Sequence, residues 1–282
     1  MQSIELTAND RYVHCVRFEP QSTPIATVVI AAALGVKQRF YQPLAKWLSE
    51  QGYRVITFDY YGIGQSLDKP IQQIDTDIFA WAEQDINAVL AYAAECKGEQ
   101  PLFYLAHSLG GQLLALADNA AHIDKVVTVA SGTGYWRNAS KQVRRTSWLL
   151  WYFAVPISTP IAGYFPGKKL GMVGDMPANA MRQWSRWCRS KDYLFDHLTT
   201  EQAKRYRNFT APIQAFHISD DELLKRENIE NLLAHYPNAP STLTDLTPSM
   251  TPLKGIGHFN AFRREFQSSL WQNYLLPALH LD

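Results

Sequence analysis

The 282-residue sequence predicts an α/β protein with a mostly parallel central sheet and helices on both faces. Apolar runs without a polar alternate face are typical of strands that are covered on both sides of a parallel sheet. Stripes of apolar residues at helical spacing separate these runs, so strand and helix alternate along the chain. The four runs of the N-terminal half are 27–33, 54–59, 101–106 and 125–131.

The predicted helices lie between these runs. Apolar stripes at 41–48, 78–93 and 109–117 each predict one amphipathic helix, and Gly52 is a helix stop after the first. The alternation pauses near residue 135 and resumes with "APIQAFHIS" near residue 212, which again has the pattern of a buried strand. We expect a weak strand at 242–246 and a final amphipathic helix at 260–277.

The interruption divides the chain into a predicted core, 1–134 and 210–282, and a helical, aromatic-rich and basic lid, 135–209. The lid holds five of the eight tryptophans, 13 of the 27 Lys and Arg residues and 4 of the 26 Asp and Glu residues. It therefore carries about +9, and the remainder carries about −8. This asymmetry indicates attraction to an anionic surface or substrate, or a basic insert that packs on an acidic body.

Composition excludes several classes of protein. A hydrophobic content of 46% with 19% charged residues is typical of a globular protein, and a net charge of +1 gives no reason to expect a nucleic-acid partner. Cys15, Cys96 and Cys188 are odd in number and lack CxxC spacing, which favours neither disulfides nor zinc and indicates a cytoplasmic protein. HExxH, P-loop and GxGxxG motifs are absent, so we expect no metal and no cofactor. Nothing in the sequence indicates an oligomeric state.

One stretch bears on contact with membranes. Residues 146–167 carry no charge, lie between two basic pairs and have the length of a membrane span. Their three prolines and two glycines count against a continuous spanning helix. The expectation is peripheral membrane contact through the lid.

The stretch "YLAHSLGGQLLAL" at 104–116 contains the candidate nucleophile. Ser108 follows a predicted strand and precedes a predicted helix, and the small residues Ala106 and Gly110 let the two backbones approach closely. A serine after a strand is also a common helix N-cap. Both interpretations stay open on this stretch alone.

Two further stretches show a family resemblance. "FDYYGIGQS" at 58–66 resembles the Asp-x-Arg-Gly-x-Gly-x-Ser stretch of the α/β-hydrolase superfamily, with Tyr61 where arginine is usual. "AALGVKQRFYQPLAKWL" at 32–48 resembles the loop after that family's third strand, with Ala32 and Ala33 in place of His-Gly. The phrases "YFPGKKLG" and "WSRWCR" resemble a bacterial branch near the monoglyceride-lipase and serine-aminopeptidase-like (S33) group.

The resemblance implies a catalytic triad in the order Ser, acid, His. The acid follows the strand near 212, where Asp220 and Asp221 both qualify and the family's usual ending favours Asp221; adjacent aspartates also serve as turn formers. The base is expected to be His258, in the glycine-rich loop "KGIGHFNAF". Of the seven competing histidines, His107 adjoins the nucleophile, but neighbouring side chains on a tight turn point apart.

The resemblance also implies an oxyanion hole made by the backbone N–H groups of Leu34 and Leu109. Because these donors belong to the backbone, the side-chain replacements in the loop do not abolish the hole.

These residues imply a serine hydrolase that cleaves a carboxylic ester or thioester of a small-molecule acyl substrate, peptide or amide being less expected. The lid, inserted after the sixth strand, is expected to roof the site. Its aromatic side chains favour an apolar acyl or aromatic group, or else only pack the lid onto the core. Acyl transfer by the same triad and a catalytically silent binding or membrane-surface protein are the alternatives. The tryptophans expected to bind substrate are Trp148, Trp151, Trp184 and Trp187.

Overall fold

The computed structural model describes residues 1–172 and 174–281. Its strands are β1 (Gln2–Ala8), β2 (Arg11–Phe18), β3 (Thr27–Ala31), β4 (Arg54–Phe58), β5 (Leu102–His107), β6 (Lys125–Val129), β7 (Tyr164–Phe165), β8 (Met176–Pro177), β9 (Ile213–Ile218) and β10 (Ser241–Leu246). Eight of them form one sheet in the order β1-β2-β4-β3-β5-β6-β9-β10. In this sheet β1 pairs antiparallel with β2, and β2 pairs antiparallel with β4. The remaining neighbours in the order β4-β3-β5-β6-β9-β10 pair in parallel.

Helices cover this sheet and form most of the 135–209 segment. The α-helices are α1 (Gln42–Glu50), α2 (Ile78–Ala80), α3 (Asn87–Lys97), α4 (Leu109–Gln112), α5 (Lys141–Leu149), α6 (Val155–Ala162), α7 (Ala178–Arg189), α8 (Thr200–Asn208), α9 (Arg226–Leu233), α10 (Gly257–Asn260) and α11 (Leu276–Ala278). π-helical turns at Trp81–Ile86, Leu150–Ala154 and Gln267–Leu275 join α2 to α3, join α5 to α6 and precede α11.

The predicted fold class is confirmed, because the six predicted strands are present as β3 to β6, β9 and β10. Every residue of β3 and β5 is buried, as a strand between two helical layers requires. Sequence patterns did not predict β1 and β2. β1 is an edge strand with alternating exposure and four polar residues among seven, so its pattern differs from the buried runs.

The third predicted helix is shorter than expected. The spacing predicted a helix over 109–117, whereas α4 ends at Gln112 and a 3₁₀ turn follows at Leu114–Leu116. Gly110 and Gly111 lower the helix propensity of this stretch, which explains why only one α-helical turn forms.

The order of the strands determines where a site forms. The chain runs from β3 to β4 on one side and returns to β5 on the other side of β3. This reversal is a topological switch point, where ligands of open α/β sheets bind outside the carboxyl ends of the strands. β3 and β5 pair in parallel with Ala31 opposite Ala106, so the loops after both strands begin side by side. The loops after β9 and β10 leave the same edge of the sheet.

Residues 135–209 are mainly helical, with one short antiparallel pair, β7 and β8. The uncharged stretch folds as the end of α5, a π-helical turn and α6, which ends at Gly163 in the left-handed conformation, φ +75°. Within the described residues, the structure contains no helix with the length and apolarity needed to cross a membrane.

Candidate active site

Ser108 lies on a sharp turn between β5 and α4. Its backbone has φ +50° and ψ −113°, a region that residues other than glycine rarely adopt, and this conformation turns the side chain out of the sheet. Positions 110 and 111 must be glycine: a Cβ on Gly110 would lie 2.6 Å from the carbonyl oxygen of Ala31, and one on Gly111 would lie 2.6 Å from Oγ of Ser131. The glycines therefore allow the close strand–helix approach that the turn needs.

Three predicted side chains form a continuous hydrogen-bonded line. His258 Nε2 lies 3.0 Å from Oγ of Ser108, and His258 Nδ1 lies 2.7 Å from Oδ2 of Asp221. The side chains of His258 and Asp221 are 3% and 1% exposed. A carboxylate that accepts from Nδ1–H leaves Nε2 as the acceptor for the serine hydroxyl, which is the arrangement needed to remove its proton.

The two adjacent aspartates have different partners. Asp221 uses its second oxygen, Oδ1, to accept the backbone N–H groups of Leu223 and Leu224 at 2.7 and 3.0 Å. Asp220 instead accepts the N–H groups of Ile256 and Gly257 at 2.9 and 3.2 Å. The predicted histidine loop ends in the short helix α10, which carries His258. Asp220 thus holds the backbone of this loop where α10 begins, whereas Asp221 contacts the imidazole.

Sequence reasoning missed Glu222, the third carboxylate of this run. Its Oε2 accepts the backbone N–H of His258 at 3.1 Å, and the residue lines the cavity described below. Three consecutive acidic residues therefore contact the loop that carries His258. The run "DDE" was the available signal, but only the fold shows that all three carboxylates face one loop.

His107 has a position that the sequence did not indicate. It is fully buried, and burial, together with the neighbouring His258, lowers its pKa well below the ordinary value, so it is neutral at pH 7. Its Nε2–H donates to the carbonyl oxygen of His258 at 3.0 Å, and its Nδ1 accepts from the hydroxyl of Tyr41 at 2.8 Å. The Tyr41 oxygen accepts the N–H of Ala33 at 2.9 Å. This buried chain connects the histidine loop to the loop after β3.

The two predicted oxyanion donors lie at the same edge of the sheet. Leu34 follows β3, Leu109 is the first residue of α4, and both line the cavity beside Ser108. The loop after β3 is held by Asp59, whose Oδ1 accepts the N–H of Gln38 at 2.8 Å. Asp59 belongs to the stretch "FDYYGIGQS", so this stretch holds the loop after β3 in place through that hydrogen bond. At the arginine position of that stretch, Tyr61 is buried under the guanidinium of Arg11, 5.2 Å from the ring centroid.

A cavity of about 890 Å³ opens above Ser108 and His258. Its wall is mostly apolar and aromatic and comes from both the sheet edge and the 135–209 segment, a composition that suits a ligand with an apolar part. The segment contributes Tyr135, Trp136, Ala139, Val143, Thr146, Ser147, Leu150, Trp151, Gly171, Met172, Trp184, Cys188 and Tyr193.

Two of the four predicted tryptophans line this cavity. Trp151 and Trp184 lie on its wall and contact each other edge to face, with ring centroids 4.9 Å apart. Trp187 is instead buried between Phe79 and Tyr193, at 5.0 and 5.7 Å, because its side of α7 faces the core. Trp148 is 42% exposed on the outer side of α5. Neither Trp148 nor Trp187 is on the wall of this cavity, so the structure does not bring them to Ser108, and their contact with substrate stays a prediction.

The sequence matches a known protein family over most of its length. The family model described as "Serine aminopeptidase, S33" matches residues 22–247, about four fifths of the chain. The match contains Ser108 and Asp221, and His258 lies 11 residues beyond its end.

Individual proteins are similar at lower identity. Monoglyceride lipase of Rattus norvegicus is 26% identical over 127 residues, which are 44% of this chain and 41% of that protein, so the match spans about two fifths of its relative. A soluble variant of monoglyceride lipase from Saccharomyces cerevisiae, solved with a substrate analogue, has TM-score 0.63 at 16% identity and covers 95% of this chain and 92% of that one. A carboxyl esterase from Bacillus coagulans, solved with glycerol, has TM-score 0.58 at 13% identity, with 88% and 90% covered. These two structures share the fold.

Proposed function

The chain belongs to the serine aminopeptidase S33 family of hydrolases, and we propose that it cleaves a carboxylic ester or thioester through an acyl-enzyme intermediate. The line from Ser108 through His258 to Asp221, at the floor of an apolar cavity, carries this proposal. Similar proteins include a monoglyceride lipase and a carboxyl esterase, which favours an ester over a peptide substrate.

The proposed mechanism uses the triad twice. His258 accepts the proton of Ser108 as Oγ attacks the carbonyl carbon, and the N–H groups of Leu34 and Leu109 stabilise the oxyanion that forms. The C–O or C–S bond then breaks as His258 protonates the leaving alcohol or thiol. A water molecule attacks the acyl-enzyme by the same route, giving the carboxylic acid and free Ser108. Asp221 orients His258 and stabilises the imidazolium.

Labelling of Ser108 tests this function. A fluorophosphonate probe should label the wild type, and Ser108→Ala should neither label nor hydrolyse any member of a series of p-nitrophenyl esters from acetate to laurate. The substitution removes one hydroxyl, so circular dichroism and melting temperature should stay the same. A wild type that does not label, or a Ser108→Ala variant that hydrolyses esters at the wild-type rate, contradicts the proposal.

The proposed substrate has an apolar acyl group. The cavity wall above Ser108 is formed mainly by apolar and aromatic side chains, two of them the contacting tryptophans Trp151 and Trp184. We assign the role of a lid over this site to residues 135–209, since nearly half of the wall comes from them.

The thiols of Cys15, Cys96 and Cys188 are free, which supports a reducing compartment such as the cytoplasm.

We further propose that this lid rests on a membrane surface. The helical stretch from Leu150 to Ala162 lines the cavity only at its start, with Leu150 and Trp151, and leaves its outer side uncovered, with Ile157 and Ile161 exposed by 55% and 81%. An uncovered apolar ridge of this kind is typical of a helix that lies in the interfacial region of a bilayer. The large apolar side chains exposed on α5, α6 and the turn between them are Trp148, Leu149, Tyr152, Phe153, Ile157 and Ile161.

An arginine row beside the ridge supports a membrane with anionic lipids. Arg182, Arg186 and Arg189 are exposed on α7 at spacings of four and three residues, so they lie on one side of the helix. Arg182 donates to Oγ1 of Thr159 at 3.2 Å, and the guanidinium of Arg189 lies 5.3 Å from the Tyr152 ring centroid, which places the row along the ridge. Each cationic side chain near an anionic surface contributes about 1 kcal/mol.

Vesicle co-sedimentation tests the membrane contact. The wild type should pellet with phosphatidylglycerol-containing vesicles more than with pure phosphatidylcholine, and high salt should reduce binding. Ile157→Asp with Ile161→Asp should abolish binding, while the control pair Ile25→Asp with Leu281→Asp, exposed by 49% and 52% elsewhere on the surface, should not. Binding that is equal for both pairs, or that ignores lipid charge, contradicts this partner.

A further inference from the structure

Three side chains with polar groups, two of them buried, connect the cavity wall to the helix that follows the nucleophile. The indole N–H of Trp184 donates to the hydroxyl oxygen of Tyr193 at 2.9 Å, and that hydroxyl donates to Oε1 of Gln112 at 3.0 Å. The amide nitrogen of Gln112 donates to the carbonyl oxygen of Gly132 at 2.7 Å. Trp184, Tyr193 and Gln112 all line the cavity, so a polar line runs through an otherwise mostly apolar wall.

Tyr193 is the centre of this line. It is completely buried, and burial raises the pKa of its phenol well above the ordinary value, so the hydroxyl stays neutral and remains a donor. Its backbone φ of +55° lies in the left-handed region, which a bulky residue rarely adopts. The ring packs against Gly134, where a Cβ would lie 2.8 Å from the Tyr193 ring, and against Trp187 at 5.7 Å. The position of the hydroxyl is therefore closely constrained.

The Tyr193 hydroxyl supplies hydrogen-bond partners to two polar groups of the cavity wall. A hydrogen-bonding group that is left unpaired in a residue lining an apolar cavity attracts a polar group of a ligand, and it opposes a hydrocarbon chain because it loses its hydration without replacement. Tyr193 satisfies both atoms at once, since its hydroxyl accepts from one and donates to the other. The paired wall then presents ring faces and edges to the ligand.

We propose that Tyr193 is a specificity-determining residue that makes the cavity selective for unsubstituted hydrocarbon acyl groups. The inference rests on the proposed function and deepens it, because it assigns the acyl selectivity of that site to one hydroxyl. Tyr193 acts through Trp184 and Gln112 and takes no part in the chemistry at Ser108. The substrate class that follows is an ester or thioester of an aliphatic acid without polar groups along its chain.

The test compares p-nitrophenyl esters of aliphatic acids with their ω-hydroxy counterparts, from four to twelve carbons. Wild type should have the higher kcat/KM for the aliphatic member of each long-chain pair. Tyr193→Phe keeps the ring and leaves the Trp184 N–H and the Gln112 oxygen unpaired. It should lower that preference about tenfold in the pairs whose chains reach the wall, through a higher KM for the aliphatic ester. Each ratio is taken within one variant, so a change in the folded fraction cancels.

Tyr206→Phe is the matched control. Tyr206 is also buried, and its hydroxyl donates to Gln112, but to the backbone carbonyl oxygen at 2.6 Å, whereas the Trp184 N–H donates to Tyr193. This variant should lose comparable thermal stability and keep the wild-type ratios. Unchanged ratios in Tyr193→Phe, or an equal change in Tyr206→Phe, would overturn the inference, while a wild type that hydrolyses none of the esters and does not label with fluorophosphonate would overturn the proposed function instead.

Discussion

The α/β core and the 135–209 segment differ in how far their apolar side chains are buried. In the core, β3 and β5 are buried along their whole length, because helices cover both faces of the sheet. In the segment, the helix that ends at Ala162 buries only the side that faces the cavity and the core, and its other side carries exposed isoleucines. The sheet holds its loops in a position set by strand pairing, whereas the segment supplies a wall and a surface. The core is therefore suited to chemistry and the segment to recognition.

Charge follows the same division. The segment has a net charge of about +9, and the remainder of the chain has a net charge of about −8. Three core carboxylates, Asp220, Asp221 and Glu222, contact the loop that carries His258, and the exposed arginines of α7 lie on the outside of the segment. The acidic groups thus organise the site, and the basic groups face outward.

The largest expected effect is the loss of catalytic rate when a triad residue of the core is changed, compared with a residue of the 135–209 segment that lines the cavity. Asp221→Asn should lower kcat by about 10⁴-fold, because the amide no longer holds the productive tautomer of His258. Trp184→Phe should lower kcat/KM by about tenfold at most, and only for long acyl chains. Steady-state kinetics on the p-nitrophenyl ester series measures both.

Asp220→Asn is the control for this prediction. The amide keeps one oxygen, which accepts one of the two backbone N–H groups that the carboxylate accepts, so we expect a loss of about tenfold or less. If either Asp220→Asn or Trp184→Phe costs as much as Asp221→Asn, the division between core and segment is wrong.

Truncating one isoleucine in each region sharpens the comparison of packing. Ile56→Ala in β4, where the side chain is fully buried, should lower the free energy of unfolding by about 3 to 4 kcal/mol. Ile161→Ala, where the side chain is 81% exposed, should change it by less than about 0.5 kcal/mol. Urea denaturation measures both values. A large loss for Ile161→Ala would mean that the ridge is covered in solution, for example by a second copy of the chain.

The smallest expected effect concerns a buried carboxyl group of the core. Burial raises the pKa of Asp85 from its ordinary 3.8 to about 7, although the N–H of Tyr61 and the guanidinium of Arg11 oppose this shift. Arg11 Nη1 is 3.8 Å from Oδ1, and that oxygen has no hydrogen-bond partner among the described residues. Between pH 3.8 and about pH 7 the native state therefore binds more protons than the unfolded state. The free energy of unfolding falls as the pH rises through this range.

Asp85→Asn should remove this dependence. From pH 5 to pH 8 the wild type should lose about 2 to 3 kcal/mol of unfolding free energy relative to the variant, because the amide that replaces the carboxyl group cannot ionise. Urea denaturation at the two pH values gives the difference. Parallel pH profiles for the two proteins would contradict the assignment, whereas the exposed Asp196 of the segment, changed to Asn, should leave the profile unchanged.

The interior strands were predictable because burial on both faces leaves a continuous apolar run in the sequence, as in β3 and β6. β1 and β2 were not, since they extend the sheet at one edge and mix polar with apolar residues. The nucleophile turn was predictable from Ser108 and its small neighbours. The choice between Asp220 and Asp221 could not be made from residue type, because two identical side chains differ only in what they face.

The tryptophans show the same limit. Trp184 and Trp187 are three residues apart and share a helical face by spacing alone, yet one lines the cavity and the other lies in the core. The direction of the helix relative to the sheet made that difference. The pairing of Trp184 with Tyr193 and Gln112 likewise joins residues up to 81 positions apart in the chain.

The sequence by itself determined the fold class, the alternation of strands and helices, the identity of the serine and histidine candidates, and the charge contrast between core and segment. These follow from local patterns of apolar, small and charged residues, which local sterics and solvation enforce. Only the tertiary structure decided which carboxylate contacts His258, which tryptophans line the cavity, and which side of the uncharged helix is left exposed. Those outcomes depend on distances between residues remote in the chain, and such distances exist only after the layers have packed.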